Sequence, residues 1–290
     1  MDDLTLLGYR LLVGLRLPAR WFFGDPLRGV VPQAREGRLT VEVVSHCWGY
    51  AHLLDYQLSS LVRHPPQNVD LTMTVYYCDD DEVTRASLRF FAAHTVPNVR
   101  WNWRALPRQQ LFRRSIGRND AARRTTADWI WFTDCDLLFG PGCLDSLGEA
   151  LQGRTDRLVF PDCEQLTDLL PDDHPALSKD ATPRLVDVEN IAFLPHRPTR
   201  ATGPLQIVHG DVARAAGYCE QNRYFMQPVS SWAKSYEDRV FRWMIRSQGV
   251  PISVPGVHRI RHQSKGRYKA GLDSELRKAI RKATDHRRAP

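Results

Sequence analysis

Three observations predict an α/β fold built on a parallel sheet. Runs rich in apolar and β-branched residues at 40–45, 71–77 and 98–103 alternate with segments whose apolar residues recur at helical spacing. Strand, helix, strand, helix, strand in that order implies crossover helices and a parallel sheet. A fourth run, Trp129-Ile130-Trp131-Phe132, is apolar and aromatic throughout and reads as a buried strand. Two carboxylate clusters, Asp79-Asp80-Asp81 and Asp134-Cys135-Asp136, fall at the carboxyl ends of such runs, where open α/β sheets bind their ligands.

The elements can be justified in turn. Residues 4–17 are apolar but interrupted by Arg10 and Arg16. They are too few for a membrane span of about 20 residues, so they read as a helix that packs on the core or lies on a surface. The start, Met-Asp-Asp, lacks the basic opening and small-residue cleavage pattern of a signal peptide. After Gly24-Asp25-Pro26 a loop runs to Gly37 and the first strand. The helix after that strand carries Leu54, Leu58, Leu61 and Val62 on one side and stops at His64-Pro65-Pro66. The second strand ends in Cys78 and the three aspartates. Val83, Ala86, Phe90 and Ala93 mark the second helix, and the third strand comes next. The arginine-rich run 113–124 reads as a loop leading into a helix ahead of the Trp129 strand. Residues 158–160 form a further strand. Residues 164–205, rich in proline and charge, read as a long excursion, and loops of that length tend to be functional or disordered. Residues 207–211 precede a short alanine-rich turn of helix. Ser235-Tyr236-Glu237-Asp238 opens a helix carrying Val240, Phe241, Met244 and Ile245, and a basic helix with Leu272, Leu276, Ala279 and Ile280 ends the chain.

The 290 residues suffice for one large domain, with 42% hydrophobic and 25% charged residues to build a core. We expect an N-terminal segment over 1–37, the main domain over 38–268 and a basic tail over 269–290. The net charge of +7 favours an anionic partner: a nucleotide, a lipid headgroup or a nucleic acid. Zinc-finger spacing and an aromatic–glycine RNA-binding signature are both lacking, so nucleic acid is not indicated. The six cysteines contain no Cys-x-x-Cys pair, and free thiols in a reducing compartment are the simpler reading. There is no Walker loop and no Gly-x-Gly-x-x-Gly, so a P-loop nucleoside triphosphatase and a Rossmann dehydrogenase are unsupported.

Asp134 and Asp136 are costly to bury without a cation or strong donors. A hard divalent ion with oxygen ligands answers that need, and its open positions can hold a phosphate. A solvated strand-end turn is the plainer alternative. The run Arg113-Arg114-Ser115-Ile116-Gly117-Arg118-Asn119 is a solvated basic face or an anion site. Glu237 and Asp238 suit a helix N-terminus on dipole grounds as well as catalysis.

The order of these motifs over residues 40–265 resembles a nucleotide-sugar glycosyltransferase of the GT-A fold, family 2 type. Two short stretches, Phe132-Thr133-Asp134-Cys135-Asp136-Leu137 and Arg259-Ile260-Arg261-His262, are similar to the β1,4-galactosyltransferases. The resemblance implies a single GT-A (Rossmann-like) domain with a mostly parallel central sheet flanked by helices. Residues 38–140 would be its nucleotide-sugar half and 141–268 its acceptor half. One of Asp79, Asp80 and Asp81 should contact the nucleobase or ribose, with Arg113, Arg118 and Asn119 ahead of the acidic strand. Asp134 should face the ribose and metal-bound water, and Asp136 should ligate Mn²⁺ or Mg²⁺. A late histidine, His262 first and His258 second, should complete the metal site. One of Glu237 and Asp238 should be the general base, and the resemblance favours Asp238. If neither serves, Asp211 is the next candidate. The second strand ends Asp-Asp-Asp-Glu where the family usually has Asp-Asp-Gly-Ser, which blurs the nucleobase contact.

The implied reaction moves a sugar from a nucleotide-diphosphate sugar, a UDP-sugar being the expected donor, to a hydroxyl of a glycan or lipid-linked acceptor, with inversion. The expected setting is cytoplasmic, with peripheral contact at the inner face of a membrane through residues 4–17. The rivals are a haloacid-dehalogenase-type phosphatase, whose Asp-x-Asp usually continues x-Thr or x-Val where Leu138 stands, a nucleotidyltransferase, and a non-catalytic nucleotide-sugar-binding subunit.

Overall fold

The structure is a computed structural model that describes residues 2–15, 17–179, 182–188, 191–232 and 236–263. The C-terminal basic helix expected over 269–290, and Ser235, lie outside the described residues.

Helix α1 (Asp2–Gly14) turns Tyr9, Leu12 and Val13 toward the core. β1 (Leu39–His46) buries Val41, Val43 and Val44, β-branched side chains that suit a pleated surface. α2 (Ala51–Arg63) buries Leu54, Leu58 and Leu61, one apolar stripe, and ends just before Pro65, which cannot continue a helix. β2 (Val69–Tyr77), α3 (Glu82–Ala92) and β3 (Val99–Ala105) repeat the unit. The short α4 (Arg108–Leu111) and then α5 (Arg114–Arg124) lead to β4 (Trp129–Phe132), whose four residues are all buried. Next come β5 (Leu137–Phe139), α6 (Cys143–Leu151), β6 (Leu158–Pro161), β7 (Glu164–Leu166), β8 (Leu194–His196), β9 (Gln206–His209), α7 (Gly210–Ala216), α8 (Glu237–Met244), β10 (Val250–Ile252) and β11 (Val257–Arg259).

Among the described residues, seven strands form the main sheet in the order β10-β6-β9-β4-β1-β2-β3. β1 is parallel to β2 and β4, β2 to β3, and β10 to β6. The mostly parallel α/β sheet flanked by helices is therefore as expected. The exception is β9, which runs antiparallel between β4 and β6.

A second sheet was not foreseen. β5, β11, β7 and β8 pair in that order, so residues 164–205 are not a bare excursion but supply two of its strands. Each of these four strands is three residues long. That is too short for a period-2 pattern to declare itself, and the pairing is set by partners far away in sequence. This sheet shapes the acidic end of β4. β11 pairs antiparallel with β5, and the Ile260 amide donates to the Asp136 carbonyl at 2.9 Å. A parallel bridge between Leu170 and His262 then carries the chain onward. The late histidine is thereby delivered beside the Asp134–Asp136 turn.

Candidate active site

The site lies where the parallel strands β1, β2 and β4 end. Below the Asp134–Asp136 turn is a buried polar knot. The Ser45 hydroxyl donates to the Gln57 carbonyl oxygen at 2.6 Å and lies 2.6 Å from the Thr133 hydroxyl. The Gln57 amide donates to the Asp134 carbonyl at 3.2 Å, and the Thr133 amide donates to the Val44 carbonyl at 2.9 Å. Buried polar groups that satisfy one another in this way fix a single geometry, so the turn is held from beneath.

From above, α5 presents two arginines one helical turn apart. Arg114 donates through Nη1 to Asp134 Oδ1 at 2.7 Å and through Nε to Glu237 Oε1 at 3.1 Å. Burial opposes its charge, but Asp134 and Glu237 outweigh that and hold the guanidinium far above its usual range. Arg118 is fully buried. It donates to the Tyr218 hydroxyl at 2.8 Å and to the Thr133 carbonyl at 3.2 Å, and it lies 3.5 Å from Asp134 Oδ1. Tyr218 in turn donates to Gln206 at 2.8 Å and stacks on Phe241 of α8, with ring centroids 4.2 Å apart. β4, β9, α5 and α8 are thus locked around one arginine.

Arg113, the non-helical residue just ahead of α5, faces elsewhere. It donates to the Gln227 carbonyl at 3.1 Å and stacks over Tyr224. Asn119 accepts from the Tyr218 amide at 2.8 Å, just after α7. Arg114 therefore joins the expected Arg118 at the acidic turn, and the expected Arg113 does not reach it. The sequence signal that finds Arg114 is its four-residue spacing from Arg118, which puts both on one face.

The three aspartates after β2 separate. Asp81 caps α3, accepting from the Thr84 amide at 3.2 Å and hydroxyl at 2.7 Å, and also from the Gly49 amide at 2.6 Å. Asp80 pairs with Arg108 at 2.7 Å, and that guanidinium lies over the Trp48 ring at 4.7 Å. Asp79 is exposed at the same rim.

Asp136 and His262 are both buried, with Oδ2 and Nε2 4.0 Å apart. The His262 ring meets Tyr50 edge-on. His258 points elsewhere: its Nδ1 lies 3.0 Å from the Gly256 carbonyl and its ring packs against Phe193. Among the described residues, no group of three or more His, Cys, Asp or Glu side chains is placed to hold a metal ion.

The two acids that open α8 differ sharply. Glu237 is 1% exposed, with Oε1 on Arg114 and Oε2 accepting from the Ser115 amide at 3.3 Å. The Asp238 side chain is 27% exposed, and Arg242, at 4.0 Å, is the nearest cation paired with it. Asp211 is elsewhere altogether. β9 is antiparallel to β4, with His209 opposite Trp129, so Asp211 sits at the far end of the sheet.

Two further groups complete the floor. His46 stacks on Tyr76 with centroids 5.0 Å apart, and Gly117 on α5 presses against its ring, leaving no room for a Cβ. Burial first, then Arg118 and Arg114, lower its pKa well below 6.5, so the ring is neutral. The Cys135 thiol is pushed well above 9, by its hydrogen bond with Cys47 and then by burial, and stays protonated. All six cysteines are free.

Residues 51–177, under half of the chain, match the family described as Glycosyl transferase family 2. That span runs from α2 through the Asp134–Asp136 turn and stops before α8 and His262. No curated protein matches the chain. Among solved structures, the mannosyltransferase PcManGT from Pyrobaculum calidifontis in complex with GDP-Man and Mn²⁺ is 18% identical, with a TM-score of 0.45, covering 96% of this chain and 72% of that one. GalNAc-T7 with UDP, GalNAc and Mn²⁺ is 13% identical, with a TM-score of 0.47 and coverage of 79% and 44%. S. aureus TarS 1–349 is 11% identical, with a TM-score of 0.42 and coverage of 83% and 65%. The chain thus spans less than two thirds of the latter two. The family match supports a glycosyltransferase.

Proposed function

We propose that the chain is a metal-dependent, inverting glycosyltransferase that moves a sugar from a nucleotide-diphosphate sugar, a UDP-sugar being the expected donor, to a hydroxyl of a glycan or lipid-linked acceptor. The observation that carries this reading is the convergence of Asp134, Asp136, His262, Glu237 and Asp238 at one end of one sheet, although only the first two lie within the family match. On this reading residues 38–140 form the donor half and residues 141–268 the acceptor half. The six free cysteines support a reducing, cytoplasmic setting.

The residues fit a divalent cation such as Mn²⁺ or Mg²⁺. Asp136 and His262 offer one carboxylate oxygen and one imidazole nitrogen, and a small hard cation takes few protein ligands when diphosphate oxygens and water fill its remaining positions. Such an ion, when bound, supplies positive charge for the departing diphosphate. Arg114 positions the site: it fixes Asp134 and Glu237 relative to each other and leaves neither carboxylate free to move a proton. Asp238 is the carboxylate open to a substrate and is the general base in this proposal. It takes the proton of the acceptor hydroxyl as that oxygen attacks the anomeric carbon opposite the diphosphate. One base and one displacement give inversion. Asp79, Asp80 and the Trp48–Arg108 pair form the rim offered to the nucleoside.

The test is a thermal-shift and hydrolysis screen against UDP-, GDP- and TDP-sugars with and without Mn²⁺. A donor that binds the folded state raises the melting temperature by mass action. The expected result is one nucleotide class that stabilises and is slowly hydrolysed, both only with the metal. Stabilisation without any turnover to an acceptor panel or water would instead make the chain a binding subunit.

A further inference from the structure

The N-terminal face takes no part in the proposed chemistry. Helix α1 carries apolar residues on both its inner and its outer side. The inner side is anchored: Tyr9 donates to Asn222 at 3.0 Å and packs on Tyr224 and Phe225, beside Leu12 and Val13. The outer side carries Leu7, Leu11 and, just past the helix end, Leu15, spaced by four and so forming one stripe. These leucines are 49%, 56% and 69% exposed. The next turn, Ala19–Trp21, adds exposed Trp21 and Phe22. Five large apolar side chains exposed within sixteen residues mark an interaction surface.

Charge decides between occupants. Residues 4–31 contain four arginines, Arg10, Arg16, Arg20 and Arg28, and one carboxylate, Asp25, which is already paired with Arg246. Arg20 and Arg28 are exposed, as is Arg223 next to Tyr224. Asp2 and Asp3 open the helix ahead of Leu7. A second copy of the chain would bring the same basic rim against this one. A surface of anionic headgroups over an apolar interior satisfies both the rim and the stripe, and tryptophan favours that boundary. No helix among the described residues is long and apolar enough to cross a membrane.

We infer that α1 and the turn Ala19–Trp21 seat the protein on an anionic lipid bilayer, with the leucine stripe, Trp21 and Phe22 entering the interface and Arg20 and Arg28 meeting the headgroups. The patch is coupled to α8. Phe22 and Phe23 pack on Trp243, whose indole donates to the Leu17 carbonyl. The inference does not depend on the catalytic assignment.

The experiment is flotation of the whole chain with vesicles of phosphatidylcholine alone or doped with phosphatidylglycerol, at low and high salt. The protein is expected to float with the doped vesicles and to be released by salt, because headgroup attraction is screened. Two variants, Leu11→Glu with Leu15→Glu, and Arg20→Glu with Arg28→Glu, each lower the bound fraction by about tenfold or more while leaving the thermal melt unchanged, since all four side chains are exposed. Equal flotation of wild type and both variants, or none of wild type with either vesicle, overturns the inference. So does a concentration-dependent dimer that the leucine variant abolishes without any vesicle binding, which would assign the face to a second copy.

Discussion

The two ends of β4 carry similar inventories and different chemistry. Beyond its first residue, Asp211 accepts from the Gln33 amide at 2.9 Å and pairs with Arg214 at 2.6 Å, while Asp128 accepts from the Thr40 amide and hydroxyl at 2.9 and 2.8 Å. Those carboxylates are engaged in tying backbone together. Beyond its last residue, Asp134 and Glu237 share Arg114, and Asp238 alone faces outward. Carboxylates near an arginine are therefore not diagnostic. What distinguishes the end proposed to be catalytic is a buried cation that immobilises two acids and leaves a third with a partly exposed carboxylate.

The largest effect that can break this comparison is on turnover. Asp238→Asn keeps the shape and loses the proton acceptor, so turnover should fall by about 10² to 10⁴ with donor affinity nearly unchanged. Asp211→Asn should stay within a few-fold of wild type. Steady-state kinetics on both decide it, and a large loss in the Asp211 variant alone would move the chemistry to the wrong end of the strand.

Stability sharpens the same contrast. Arg114→Ala leaves Glu237 buried without its cation, which costs about 3–5 kcal/mol in denaturant titrations. Arg214 is 36% exposed and its pair with Asp211 is screened, so Arg214→Ala should cost about 1 kcal/mol or less from that pair. Equal costs would mean that Arg114 is no keystone.

The smallest effect is a control away from both ends. Burial raises the Asp55 carboxyl on α2 to about 6, with Ser87 and Arg184 pulling it down. The folded state thus holds a proton that the unfolded chain releases near 3.9. That contribution to stability is present below about pH 4 and is lost as pH rises through about 6. Asp55→Asn should therefore raise the unfolding free energy at pH 7.5, by about 2–3 kcal/mol at most, with the gain shrinking toward pH 4. A gain independent of pH would point to packing instead.

How much of this could be read from residues alone depends on the length of the signals. β1, β2 and β4 have long β-branched or aromatic runs between helices with apolar stripes, and they appear where expected. β9 has the composition of one more strand, but its reversed direction leaves no local trace. β5, β7, β8 and β11 are three residues each, and only their partners make them strands. The acidic turn was legible because paired aspartates after an apolar run are chemically conspicuous. Arg114 was not, because its four-residue spacing from Arg118 counts only once the start of α5 is known, and Arg113 lies just before that start. The separation of Asp238 from Glu237 needed the position of Arg114, more than a hundred residues away in sequence.

The most direct measurement of the central claim is the thermal shift produced by UDP and Mn²⁺ together in wild type, Asp136→Ala, His262→Ala and His258→Ala. A joint stabilisation that exceeds the sum of the separate additions is expected in wild type. It should be abolished in the Asp136 variant, need more metal in the His262 variant, and be little changed in the His258 variant. Full Mn²⁺-dependent stabilisation in Asp136→Ala would rule out Asp136 as a metal ligand and place the donor site away from the end of β4.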